Sequence, residues 1–468
     1  MAKWQTGSGM IDRKWLRKHA EKARAADYID PALYAKYGVK RGLRNDNGSG
    51  VLVGLTTIGN VHGYVMDEGE RRAIPGELYY RGINVKDIVQ ADKREHRFGY
   101  EETAYLLLFG ELPTARQLVD WKRRIGEYRK LSDGFKENAI MKHPSKDIMN
   151  ALARAVLFAY AYDPDGTPDD LSLDKCLEQS MDLIGSIPTI VAYAYQAKAH
   201  YHDGGSLMIR NPDPAKSTAE TLLMLMREDG KYTKLEAETL DLALILHAEH
   251  GGGNNSSFTT HVVTSSHSDI YSSVAASILS LKGSRHGGAN LRVMRQMDEI
   301  KANVKDWTRP ESVARYLERI ADKKAGDGTG LIYGLGHAVY TISDPRAQLL
   351  KEKARALAKE SGRTADMRLF ESVEELGPAI IKSRHPRAED ICANVDLYSG
   401  LVYDMLNIPK DLYTPIFAVA RCVSWCAHRM EELVNEGPII RPAYKPIYKP
   451  RKYVKLSDRK GFFGILGK

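Results

Sequence analysis

From about residue 84 onward this 468-residue chain repeats one pattern: apolar residues spaced three and four apart, in segment after segment. The runs "GYEETAYLLLFGEL", "ARQLVDWKRRIGEYRKL", "SKDIMNALARAVLFAYAY", "LDKCLEQSMDLIGSIPTIVAYAYQAKAHY", "KSTAETLLMLMRE" and "KLEAETLDLALILHAEH" all carry it. Ser, Thr, Asp or Asn stands near many of their starts, as helix caps require. Strands do not alternate with these segments, which argues against a parallel sheet wound with helices. No internal repeat is evident, so a solenoid is not expected. Residues 50–82, "GVLVGLTTIGNVHGYVMDEGERRAIPGELYYRG", are rich in β-branched residues and turn glycines, and predict a few short strands and hairpins. The expected fold class is mostly α, with a small β element near the N-terminus.

A chain of this length is expected to split into two domains. Between residues 284 and 400 the glycine-rich breaks "GSRHGGAN", "KKAGDGTGLIYGLGH" and "NVDLYSG" separate shorter helices. The expected organisation is an N-terminal extension over 1–45, the first part of a large helical domain over 46–285, and a smaller inserted domain over 286–399. Residues 400–468 then return to the large domain and end in a basic arm. Hydrophobic residues make up 43% and charged residues 27%, the profile of a soluble globular protein. No apolar run reaches the roughly 18 residues of a membrane span. The basic N-terminus lacks the apolar core of a signal peptide, so a helical extension in a cytoplasmic protein is expected. A net charge of +8 suits carboxylated or phosphorylated ligands. No interleaved basic and aromatic motif points to nucleic acid. The four cysteines form no CxxC pair, and Cys422 and Cys426, one helical turn apart in an apolar run, read as reduced core residues.

Chemistry-bearing residues gather at expected helix edges among small residues. In "LIYGLGHAVYTISDPR", Asp344-Pro345 is a helix-opening pair and Arg346 falls in the first turn, where the helix dipole disfavours a cation. Arg346 is then either solvated or shares the helix end with an anion, and His337 can face the same anion. In "KGSRHGGAN", His286 follows one helix and precedes glycines that open another. It either caps the two helices or, lowered in pKa by a positive helix end, stays neutral as a donor or proton carrier. Asp396 in "NVDLYSG" has the default reading of an N-cap. The stretch from Leu246 to Asp269 carries His247, His250, His261 and His267, but no cysteine or further carboxylate at a recognised metal spacing. No metal site is expected there. Instead His250 and Asn254 are read as hydrogen-bonding an oxygen-rich ligand. The run "AGDGTG" does not sit between a strand and a helix, so nucleotide binding is not supported.

Taken in order, "LHAEHGGGN", "SRHGGAN", "GLGHAVYTISDPRA", "NVDLYSG", "LYTPIFAVAR" and "IIRPAY" resemble the citrate synthase family, and the likeness extends over roughly residues 50–445. The resemblance implies a two-domain helical fold and a Claisen condensation. Acetyl-CoA and oxaloacetate would give citryl-CoA, which is hydrolysed to citrate and CoA. It implies Asp396 as base, His286 as donor to the thioester oxygen and His337 as donor to the oxaloacetate carbonyl. It further implies His250, Asn254, Arg346 and Arg421 as substrate ligands, with Arg441 reaching in from the other subunit of a homodimer. Ile332 and Gly334 would meet CoA through backbone groups. No permanently bound cofactor is implied, only acetyl-CoA as co-substrate. Use of propionyl-CoA, as in 2-methylcitrate synthases, and a non-catalytic ligand-sensing role are the competing readings. The chain departs from the family with HAEH for HADH, with Gly251 where relatives carry a carboxylate, and with Tyr333 and Ala393 where they often have proline.

Overall fold

Three helices open on reciprocal capping boxes: Thr114 with Gln117, Ser217 with Glu220 and Thr233 with Glu236. In each, a hydroxyl accepts an otherwise unpaired backbone N–H while the later side chain returns the bond. Asn84, Asp147, Asn254, Asp269, Asp344 and Asn394 cap further helices through a side-chain oxygen. The computed structural model describes residues 13–46, 48–67, 70–163, 165–386 and 390–459. The start of the expected N-terminal extension and the end of the basic arm lie outside these residues.

The chain divides into two compact units, Met1–Leu55 and Thr56–Lys468. The first holds the helix Arg13–Asp27, which has no buried residue, and the short helix Ala32–Lys36. The second is mostly helical, as the periodicity predicts. Its centre is the helix Tyr413–Asn435, in which every residue from Tyr413 to Arg429 is buried. The run "YTPIFAVARCVSWCAHR" is largely apolar and its few polar side chains are buried with the rest, so it is surrounded on all sides. The helices Leu173–Asp203, Lys234–His247, Asn255–Thr264 and Ile270–Lys282 pack around it. Cys422 and Cys426 are buried and unbridged within it.

The β element is simpler than the expected set of short strands. One antiparallel hairpin pairs Gly59–Asp67 with Glu70–Tyr80, and Ile83–Asn84 adds a two-residue third strand. Residues 51–58, though β-prone, form no strand. Register slips between His62 and Tyr64, a bulge that brings Gly63 against the loop before Asp344. A Cβ on Gly63 would lie 2.6 Å from the Val339 carbonyl oxygen. Gly76 N–H donates to the Ser343 carbonyl at 3.1 Å, and Tyr340 Oη donates to the Glu77 carbonyl at 3.3 Å. The hairpin thus forms a flat backing for residues 337–344, and only glycine permits so close an approach of two backbones.

Gly76→Ala would place its Cβ 2.1 Å from the Ser343 carbonyl oxygen. Overpacking of this kind costs about 1–3 kcal/mol. Chemical denaturation should therefore show a clear fall in midpoint, and an unchanged midpoint would mean that the hairpin does not press on the loop.

Candidate active site

Two loops distant in sequence are sewn together by backbone bonds. Leu335 and Ala393 form an isolated antiparallel bridge, Gly336 N–H donates to the Cys392 carbonyl at 2.8 Å, and Asn394 N–H donates to the Gly334 carbonyl at 2.9 Å. Gly334 and Gly336 adopt φ of +90° and +87°, which side-chain-bearing residues rarely adopt. A Cβ on Gly334 would also lie 2.7 Å from Leu397, so this glycine lets the loop lie flat on the helix Val395–Met405. Ile332 is buried beneath the same loop. Tyr333, one of the departures from family proline, uses what proline lacks: its N–H donates to Gln296 Oε1 at 2.9 Å.

The helix Val395–Met405 is capped by Asn394, not by Asp396 as the default reading held. Asn394 Oδ1 accepts from Asp396 N–H at 3.0 Å, while its Nδ2 donates to the Gly336 carbonyl at 2.8 Å. With the cap supplied by its neighbour, the Asp396 carboxylate makes no hydrogen bond among the described residues. Burial pushes it up to about 6, with Asp344 adding to the rise and Arg346 opposing it.

Arg346 is fully buried, so it is not the solvated arginine of the first alternative. Its helix-end cation is offset within the chain. Asp344 Oδ1 accepts from Arg346 N–H at 2.9 Å and Nε at 3.0 Å, and Asp344 Oδ2 accepts from Nη2 at 2.7 Å. This fork leaves Nη1 with no hydrogen-bond partner among the described residues. Asp344 Oδ2 also accepts from Val395 N–H at 3.2 Å, which ties the arginine to the Asp396 helix.

Arg421 contrasts with it. Its Nε donates to the His247 carbonyl at 2.7 Å, its guanidinium lies 4.9 Å from the Phe417 ring centroid, and it is 0% exposed. Both terminal nitrogens are buried with no hydrogen-bond partner. Desolvation lowers it to about 10, against the pull of Glu249. A buried cation with two idle donors is costly unless an anion arrives to meet it.

Of the histidines around these cations, His250 and His286 are held neutral. Burial first, then Arg346, keeps His250 well below the usual imidazole range, and its Nε2 is buried without a partner. Its ring meets that of His337 edge-on, with centroids 5.1 Å apart. His337 stacks on Tyr340 at 4.7 Å. His337 Nδ1 accepts from Val339 N–H at 3.0 Å and Tyr340 N–H at 3.1 Å, so in the neutral ring the proton sits on Nε2. His286 stands where "HGGAN" predicted, between the helices Ile270–Lys282 and Ala289–Asn303. It is lowered to about 4, by burial first and then by Arg421.

The sequence did not single out Ser256, which governs the His286 tautomer. Trp425 Nε1 donates to Ser256 Oγ at 3.1 Å, so the hydroxyl proton goes either to Asn254 Oδ1, 2.9 Å away, or to His286 Nε2, 3.1 Å away. The second choice leaves the imidazole proton on Nδ1 as an outward donor. Asn254 itself caps the helix Asn255–Thr264. Glu249, the residue that departs from HADH, is fully buried and accepts from Ser424, from His428 Nε2 at 3.2 Å and from Gly251 N–H. Arg441 is exposed on the non-helical segment after Asn435.

These side chains offer arginine and imidazole donors suited to a small polyanion, together with a carboxylate whose proton affinity is raised. The family model described as "Citrate synthase, C-terminal domain" matches residues 47–443. A citrate synthase from Haloferax volcanii is 34% identical over 369 residues, covering 78% of this chain and 88% of the relative. A 2-methylcitrate synthase from Corynebacterium glutamicum is 31% identical, covering 82% and 92%. Among solved structures, a citrate synthase from Thermoplasma acidophilum, in ternary complex with carboxymethyl coenzyme A and oxaloacetate, superposes with a TM-score of 0.73 at 27% identity, covering 90% of this chain and 99% of that one. Sequence match, fold and the order of the motifs agree, and the chain is an enzyme of the citrate synthase family.

Proposed function

We propose that this protein condenses acetyl-CoA with oxaloacetate and hydrolyses the resulting citryl-CoA to citrate and CoA. The observation that carries the reading is the buried Arg421 guanidinium, with two idle nitrogens, among neutral imidazoles. A dicarboxylate matches it: one carboxylate on the Arg421 fork, the other toward Arg346 Nη1, with His250 Nε2 and Asn254 as further donors.

The chemistry then follows from which groups carry protons. Asp396, ionised, removes a proton from the acetyl methyl group. A thioester α-proton is too weakly acidic for a carboxylate alone, so His286 Nδ1–H stabilises the developing enolate oxygen. The enolate carbon attacks the oxaloacetate carbonyl, whose oxygen takes the Nε2 proton of His337. Water then cleaves the thioester and releases CoA. Residues 286–399 form the part that closes over the substrates and excludes water until condensation is complete. Ile332 and Gly334 offer backbone groups to the CoA moiety. Nothing beyond acetyl-CoA is required as cofactor.

The enzyme is read as a cytoplasmic homodimer in which Arg441 serves the partner's site. Its exposure beyond the last long helix supports this reading. Among the described residues no helix is long and apolar enough to cross a membrane.

Thiol release from acetyl-CoA and from propionyl-CoA, each with and without oxaloacetate, tests the reaction directly. Release should require oxaloacetate and favour the acetyl thioester. Preference for propionyl-CoA would make the protein a 2-methylcitrate synthase, and release indifferent to oxaloacetate would make it a thioesterase. Asp396→Asn should reduce turnover by about 10²–10⁴-fold while oxaloacetate binding, followed by calorimetry, survives. Because the base acts ionised and is raised to about 6, wild-type kcat should fall as pH drops through that value. Near-normal turnover in the variant would remove Asp396 from the mechanism. Arg441→Ala should leave a dimer by light scattering but lose about 2 kcal/mol or more, roughly thirtyfold, in kcat/KM for oxaloacetate. A fully active wild-type monomer would overturn the shared site.

A further inference from the structure

A second cluster lies outside the proposed substrate ligands. His261 on the helix Asn255–Thr264, with His428 and Glu431 on the helix Tyr413–Asn435, bring three donor atoms within 4.8 Å of one another. His261 Nε2 is 3.1 Å from His428 Nδ1, and Glu431 Oε2 is 3.7 Å from the same Nδ1. Nitrogens bound tetrahedrally to zinc at about 2.0–2.1 Å stand roughly 3.3–3.4 Å apart, so the imidazoles are already close to that spacing.

The outer atom of each ligand is anchored. His261 Nδ1 pairs with Glu432 Oε2 at 2.7 Å, and His428 Nε2 pairs with Glu249 at 3.2 Å. Glu431 Oε1 accepts from Thr57 N–H at 2.6 Å and Thr57 Oγ1 at 2.9 Å. These bonds turn the inner nitrogens toward each other and leave Glu431 Oε2 buried without a hydrogen bond, on a side chain 9% exposed. Carboxylates behind histidines are the usual second layer of a metal centre, where they fix the ring and raise its basicity. Gly252 borders the cluster: a Cβ there would lie 3.4 Å from His428 Cε1 and 3.7 Å from His261 Nε2.

We propose that His261, His428 and Glu431 form a binding site for a divalent transition-metal ion of the zinc or cobalt class, with water completing the coordination. Two imidazoles and one carboxylate suit these ions, whereas magnesium and calcium take oxygen ligands. The sequence concealed the site because His428 stands 167 residues beyond His261.

The full-length protein, stripped with chelator and titrated with Co²⁺, should bind one ion per chain and develop the visible absorption of a four- or five-coordinate centre, which Zn²⁺ then abolishes. His261→Gln should weaken binding at least about 100-fold and Glu432→Gln about 10–100-fold, with thermal unfolding confirming that each variant is folded. Absence of the spectrum at millimolar Co²⁺ would overturn the proposal, as would undiminished binding in His261→Gln. Should that variant fail to fold, unchanged affinity in Glu432→Gln would do the same.

Discussion

Much of the site depends on one buried carboxylate. Asp344 accepts four bonds, three from Arg346 and one from Val395 N–H. It caps one helix, fixes the arginine within it and draws the start of another helix alongside. A carboxylate taken wholly out of water is tolerated only when its lone pairs are filled this completely. The hairpin presses on the same segment through Gly63 and Gly76, so the loop between His337 and Asp344 is clamped from both sides.

Within that frame, low polarity sorts the ionisable groups. Burial disfavours any charge that lacks a partner, so His247, His250 and His286 are neutral and Asp396 holds its proton more tightly than an ordinary carboxylate. Arg346 escapes by pairing with Asp344, and His428 by pairing with Glu249. Arg421 has no such partner in contact, and its idle nitrogens mark where a bound anion would settle the charge.

The helices were legible because their periodicity and caps are local, and the apolar run around Cys422 and Cys426 already read as core. The extent of the hairpin was not, since β-prone residues 51–58 have the composition of a strand but no pairing partner. For the site, spacing placed Arg346 and His286 at helix ends, while their electrostatic causes came from residues elsewhere: Asp344 folding back on Arg346, and Arg421 acting on His286 from 135 positions later in the chain. Asp396 looked like a cap because an aspartate before a helix usually is one. Asn394, two residues earlier, takes that duty. Ser256 carried no signal at all, because its role depends on Trp425, His286 and Asn254 converging on one hydroxyl.

The helix Tyr413–Asn435 is both the molecule's most enclosed element and the carrier of Phe417, Arg421, Ser424, Trp425 and His428. Hardening the interior and refining the chemistry therefore draw on the same few side chains. Variants selected for heat tolerance should accumulate on the surrounding helices and spare this one, because a better-packed residue in place of Arg421 or His428 would erase a polar partner that its neighbours require.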